Sequence, residues 1–436
     1  MRMTMLFLAL SPFVPFGCSS PGSNGTGQDT RADTGPDAAA EAVPQDALSD
    51  SAPDTAPDAL QLDTPRVDTA PDLVPDTAAV DTGIACRSGD CGVEIPGLAA
   101  EPFVAAEALF HQEADWLGGD VASSVALGNG RVAWLFGDSF IATSDKHVRS
   151  ESVMVRNSVA VQTGLDPTTA TMAFAWDKSQ GEKLPRSFFA EDGDFWFWPG
   201  TGVLVQDRLL VFVSRIKGVE GGLGFAGVEW DARLVSNPQD PPGDWQVTDV
   251  DAPANDKSVY WGGGGVFVDE VHVVAFGFQE PSHDLYIARW LTAAAREGDL
   301  SGIEWWCGTE WGTACPPAVV LEDIATEFSV HQDAVFGCWM MLYQEFFGAT
   351  STVVRWAPHY TGPWSGAKVE YNPPEQSWPN AFQYAGKAHP ELAGGDILAT
   401  YAVNSFDFAT LINDTTYYYP RVVRLTRECP EETAGQ

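Results

Sequence analysis

Basic residues are scarce. Lys and Arg number 24 against 60 Asp and Glu in 436 residues, a formal net charge of −36. Such a chain is repelled by phosphate backbones and anionic headgroups, which argues against nucleic acid as a partner. Several catalytic signatures are also missing. There is no Gly-x-Ser-x-Gly elbow, no phosphate-binding Gly-x-x-x-x-Gly-Lys and no His-Glu-x-x-His. No Cys-x-x-Cys occurs and no two of the seven histidines stand at ligand spacing, so zinc has no obvious seat.

A membrane-spanning run is absent as well. The apolar stretch in MRMTMLFLALSPFVPFGC (1–18) is too short to cross a bilayer and has the form of a secretory signal. Its end, Gly17-Cys18-Ser19-Ser20, resembles a bacterial lipoprotein signal with Cys18 as the lipidated residue, although Pro15 stands where Leu is usual. Ser19 after that cysteine resembles the pattern that directs a lipoprotein to the outer membrane. We therefore expect an extracytoplasmic protein held to a membrane by lipid alone.

Residues 19–85 contain no aromatic residue and no lysine, and 13 acids against two arginines. They repeat loosely as Asp-Thr-Ala-Pro-Asp. This segment cannot bury enough apolar surface to offset its chain entropy, so it is expected to be a disordered acidic tether. All aromatic weight falls later. The 16 Trp, 24 Phe and 10 Tyr come almost entirely after residue 85, where 86–436 is expected to form one domain, a monomer.

Setting Cys18 aside leaves six cysteines, an even number suited to an oxidising compartment. Spacing favours Cys86 with Cys91, Cys307 with Cys315, and Cys338 with Cys429.

From residue 95 one theme recurs at 60- to 77-residue spacing: a Gly- or Asp-bearing turn, then a mostly apolar run. The copies are GNGRVAWLFGDSF (128–140), VQDRLLVFVSRI (205–216), VDEVHVVAFGFQE (268–280), QDAVFGCWMMLYQE (332–345) and AGGDILATYAVNS (393–405). Most are followed by a second β-like run, such as HDLYIARW (283–290). Runs apolar on both faces and broken by turns are what strands of stacked sheets look like. Five units predict an all-β fold, a five-bladed β-propeller, with two sandwich domains as the alternative. One short helix is expected within 285–300, and Gly262–Gly265 reads as a tight turn.

Propeller ligands bind at one end of the central channel, so acids at strand starts matter most. In WLGGDVASSVALGNGRVAWLFGDSF (116–140), a three-residue turn at Gly128-Asn129-Gly130 sets Asp120 opposite Asp138, β-carbons about 4.5–5.5 Å apart. Opposed carboxylates destabilise a strand pair unless put to use. Acid and base work in glycoside hydrolysis is one use, and a shared Ca²⁺ is another. A two-residue Asn-Gly turn would instead slip the register and point the two acids to opposite faces. No other cofactor is implied.

Further segments are dense in polar groups. AEDGDFWFWPGTG (190–202) sets Glu191, Asp192 and Asp194 beside Trp196 and Trp198, a combination suited to stacking on a sugar and binding its hydroxyls. Trp116 is a third candidate platform. FQEPSHDLYIAR offers Glu280 and His283, and YAGKAHPELAGGDILATYAVNS offers Lys387, His389, Glu391 and Asn404. Glu327 and His331 are weaker candidates.

Taken together, WLGGD with WLFGDSF, RNSVAV, FWPGTG, RWAPHYTGPW and KAHPEL with YAVNS resemble the bacterial domain-of-unknown-function family numbered 4185. That resemblance spans roughly residues 100–428. It implies kinship with five-bladed propeller glycosidases, endo-D-arabinanases among them. By it, Asp120 and Asp138 carry catalysis, and Arg156, Asn157 and His389 line the same mouth. The expected partner is a polysaccharide or oligosaccharide, and the rival reading is a non-catalytic carbohydrate- or protein-binding lipoprotein.

Overall fold

Each of the five repeated runs becomes the second strand of an antiparallel sheet. The computed structural model describes Cys91 and residues 97–428, apart from 178–183, 222–223, 254–256, 346–350 and 393. The expected signal, tether and Cys18 lie outside the described residues, as do Cys86 and Cys429.

After β1 (Gly97–Pro102) come β2 (Trp116–Gly119), β3 (Ser123–Gly128), β4 (Arg131–Phe136), β5 (Ser139–Ala142), β6 (Ser152–Val155), β7 (Ser158–Thr163) and β8 (Thr171–Ala175). Strands β3-β4-β7-β8 form one sheet, and β2-β5-β6 form a three-stranded extension of its hairpin. The second sheet holds β9 (Phe195–Val205), β10 (Arg208–Gly218), β11 (Phe225–Val235) and β12 (Val247–Asp249). The third holds β13 (Val259–Asp269), β14 (His272–Gln279), β15 (Asp284–Leu291), β16 (Glu304–Trp306) and β17 (Trp311–Gly312). The fourth is β18 (Phe328–Gln332), β19 (Trp339–Gln344), β20 (Thr352–Ala357) and β21 (Lys368–Tyr371). The fifth, β22 (Ala381–Ala388), β23 (Ile397–Ser405) and β24 (Arg421–Glu428), is completed by β1 on β24.

The first strand of each sheet faces the middle, in the order β3, β9, β13, β18, β22. The circle closes where Lys387 Nζ donates to the Val121 carbonyl at 3.0 Å and where Ser124 Oγ meets His389 Nδ1 at 2.6 Å. Sheets packed in this way, each a meander with its apolar faces against its neighbours, make a β-propeller. The core lies between sheets. Phe212, Trp230, Trp261 and Trp290 fill the space between the second and third, for example. The short helix expected in 285–300 is Thr292–Arg296.

Gly262–Gly265 is not a turn. It lies inside β13, where a Cβ at Gly262 would stand 2.2 Å from Phe212 and one at Gly264 2.2 Å from Phe328. The run lets rings from both flanking sheets press on the central strand.

Two disulfides are described. Cys307 bonds Cys315, as spacing favoured. Cys91 bonds Cys338 rather than Cys86, across a sequence separation of 247, with Cα atoms 5.5 Å apart. Cys91 thus lies by the β18–β19 turn, a proximity that spacing alone does not carry.

Candidate active site

The hairpin that carries the two aspartates is more complicated than either turn considered from sequence. The loop is the two-residue Asn129-Gly130, both at positive φ (53° and 70°), and it pairs Gly128 with Arg131. A bulge between Ala126 and Gly128 then takes back the one-residue slip. Ser123 consequently faces Leu135, and Gly119 faces Ser139, the register that sets Asp120 against Asp138.

The ladder breaks at the aspartates themselves. The Asp120 carbonyl accepts from Ala122 N at 2.8 Å and from Gly137 N at 3.2 Å. Val121 and Ala122 sit at φ 66° and 47°. A β-branched residue in the left-handed region is a strained conformation, held here by the surrounding structure.

Both carboxylates line a cleft of about 480 Å³ at the start of the central strands. Its other wall is aromatic: Trp198, Phe225, Tyr260 and Phe278. Oδ2 of Asp120 accepts from two phenols, Tyr384 at 2.6 Å and Tyr418 at 2.9 Å. Asp138 accepts from the Trp198 indole at 2.9 Å through Oδ1 and from Arg156 at 3.4 Å through Oδ2. The Arg156 guanidinium in turn lies 4.5 Å from the centre of the Trp196 ring. Glu327, from the turn before β18, reaches the same cleft and pairs with the Lys387 ammonium at 3.1 Å.

Burial dominates the electrostatics. It pushes the Asp120 carboxyl up to about 7, with the Asp138 charge adding to the effect and the Tyr384 and Tyr418 hydroxyls opposing it. Burial raises Asp138 too, but there the Arg156 charge and the Trp198 indole pull the other way. Two acids so placed share fewer than two negative charges at neutral pH. Among the described residues no group of three or more His, Cys, Asp or Glu is arranged to hold a metal ion.

Other residues singled out from sequence serve different ends. Trp116 is 1% exposed, packs on Phe136 and Phe174, and donates to Ser158, so it is core rather than a sugar platform. Asn157 is wholly buried and stitches Phe189 and the Phe197 carbonyl to its own sheet. His389 is buried between Ser124 and Thr400, and burial drives it down to about 3, a neutral structural ring. Glu391, its carboxyl raised by burial, is not among the cleft residues. Asn404 acts one step back, donating to the Tyr384 hydroxyl at 3.1 Å. Trp196 bears on the cleft from behind, through Arg156 and through its edge contact with Trp198, and Glu280 lines the edge of the cleft, 3.4 Å from His283.

Sequence reasoning found Trp198 but passed over Tyr384, Tyr418 and the rest of the aromatic wall, Phe225, Tyr260 and Phe278. Tyr418 lies in a loop between the helix Phe408–Asn413 and β24, and nothing local marks it. Tyr384 opens YAGKAHPEL, three residues before Lys387.

Among solved structures, a protein of Bacteroides ovatus ATCC 8483 provisionally described as a hydrolase is similar in fold. It is 17% identical, with a TM-score of 0.61, over 75% of this chain and 90% of that one. An alpha-L-arabinofuranosidase from Lactobacillus brevis aligns at 10% identity and a TM-score of 0.43, over 73% of this chain and 95% of that one. No curated protein matches. The family model that matches is not the one the motifs resembled: residues 105–427 match the domain of unknown function DUF5005, and the chain belongs to that family.

Proposed function

We propose that the protein hydrolyses glycosidic bonds in its cleft, with Asp120, Asp138 and Glu327 as the reacting carboxylates. The observation that carries this reading is the unequal aspartate pair. Asp120 is pushed up to about 7 and held by neutral phenols, whereas Asp138 keeps a guanidinium at 3.4 Å. Glycoside hydrolysis needs one carboxyl that holds a proton at rest and one that stays charged, and environments that separate two acids supply both. Asp120 is then the proton donor and Asp138 the charged partner. The aromatic wall of Trp198, Phe225, Tyr260 and Phe278 suits the apolar face of a sugar ring.

The motif resemblance to propeller arabinanases supports a furanoside-containing, arabinan-type polysaccharide as substrate. The disulfides support an oxidising, extracytoplasmic setting. Lipid attachment at Cys18 completes the reading as a surface lipoprotein of the cell envelope. A panel of arabinans, arabinogalactans and other bacterial and plant polysaccharides, incubated with the purified protein, tests it. Released oligosaccharides that vanish in Asp120→Asn and Asp138→Asn are expected, with a loss of at least 100-fold. Full activity in either variant overturns the assignment. Tight glycan binding with no product would mark a non-catalytic carbohydrate-binding protein instead.

A further inference from the structure

Arg149 lies outside the cleft, 2% exposed, and has no carboxylate partner among the described residues. It spends its donors on backbone carbonyls. Nε bonds Leu117 at 2.8 Å, Nη1 bonds Leu411 at 2.7 Å and Asp414 at 3.2 Å, and Nη2 bonds Tyr417 at 2.6 Å. The guanidinium also stands 5.4 Å from the centres of the Phe140 and Tyr419 rings. Burying a cation without a counter-charge is costly, and here burial draws even this arginine down to about 10.

What that cost secures is a single loop. Four of the five planar donors of a guanidinium can fix several carbonyls at once, which an ammonium cannot do. Three of those carbonyls come from residues 411–417, and the next residue is Tyr418, at φ 67°. The packing is tight: a Cβ on Gly118 would stand 2.3 Å from the Tyr418 carbonyl oxygen and 2.9 Å from Arg149 Nη2. The far end of Tyr418 donates to Oδ2 of Asp120 at 2.9 Å. With Tyr384 on that same oxygen, a proton on Asp120 has only Oδ1 to occupy.

We propose that Arg149 is a positioning residue for Asp120, acting through Tyr418 to hold Oδ2 and so leave Oδ1 as the oxygen that gives and takes the proton. The inference rests on the glycosidase reading for its consequence in catalysis but not for its test. The groups facing Asp120 are Asp138, Glu327, Tyr384 and Tyr418, with Lys387 on the adjoining Val121 carbonyl. Of these, Tyr418 is the one Arg149 governs.

The experiment follows the Asp120 carboxyl by ¹³C NMR against pH in wild type, Tyr418→Phe, Arg149→Lys and Arg149→Ala. A phenol that donates to the ionised carboxylate lowers its titration midpoint, so losing that donor raises it. Tyr418→Phe and Arg149→Ala are expected to move the midpoint upward alike, with Arg149→Lys between them and wild type. If a hydrolysed glycan is in hand, the alkaline limb of kcat moves the same way. On the plateau below that limb kcat drops about tenfold with KM little changed. A folded Arg149→Lys with an unmoved midpoint, beside a Tyr418→Phe that shifts, overturns the proposal, and so does an unmoved midpoint in Tyr418→Phe. Should Arg149→Ala fail to fold, Arg149→Lys decides. Shifted midpoints with no glycan hydrolysed by wild type would leave the positioning role standing and sink the glycosidase.

Discussion

Gly137 gives Asp120 the room its carboxylate occupies: a Cβ at position 137 would stand 2.3 Å from Asp120 Oδ1 and 2.8 Å from Val121 Cγ2. The glycine of Phe-Gly-Asp is thus a matter of space beside Asp120 Oδ1, and its own backbone is one that alanine can adopt.

Gly137→Ala should therefore act on the site more than on the fold. Overpacking of this kind costs about 1–3 kcal/mol, while a displaced carboxyl costs about 100-fold in rate. Paired thermal melts and hydrolysis assays would check it. A large fall in melting temperature with the rate intact would show that the glycine serves folding alone.

The raised carboxyl of Asp120 has a consequence for stability. A native group that titrates at about 7 against 3.8 for the ordinary carboxyl binds more protons folded than unfolded between those values. Its contribution therefore declines as pH rises through that window. Asp120→Asn abolishes the decline, so the variant should gain on wild type steadily from about pH 4 to about pH 7 and level off above. Urea unfolding across that range measures the difference. A constant difference would mean that Asp120 titrates normally. His331 and His389, drawn down by burial to about 4 and about 3, impose the opposite slope below pH 6.5 in both proteins and cancel in the comparison.

Cys91→Ser should lower stability by about 2–4 kcal/mol, since the Cys91–Cys338 link closes a long loop in the unfolded chain. Activity at low temperature should persist, because Cys338 lies at the far end of β18 from Glu327. Chemical denaturation with and without the substitution tests both statements, and inactivation of a still-folded variant would contradict the second.

The sequence carried the sheets well and the site unevenly, for reasons visible in particular residues. Strands such as Leu209–Val213 are buried on both faces, and their uninterrupted apolar runs announced all five sheets. The aspartates were legible because hairpin register is local; even so, the turn and the bulge had to offset each other for the pairing to hold. Indole burial is not local. Trp116 and Trp198 look alike in sequence, yet one is enclosed by Phe136, Phe174 and Tyr419 and the other bonds Asp138 at the cleft. Asp120 and Tyr418 lie at opposite ends of the folded region and meet because the fifth sheet packs against the first and closes the circle.

That closure also decides where a pull would be felt. β1 holds β24 through six residue pairs from Gly97 to Pro102, a short non-covalent seam between the two ends of the fold. Cys91 precedes that seam in the chain and is bonded to Cys338. Tension reaching the domain along the chain ahead of Cys91 passes through a covalent bond into the β18–β19 turn. The β1–β24 seam lies beyond that point of attachment, so the covalent bond stands ahead of it on the path of the pull.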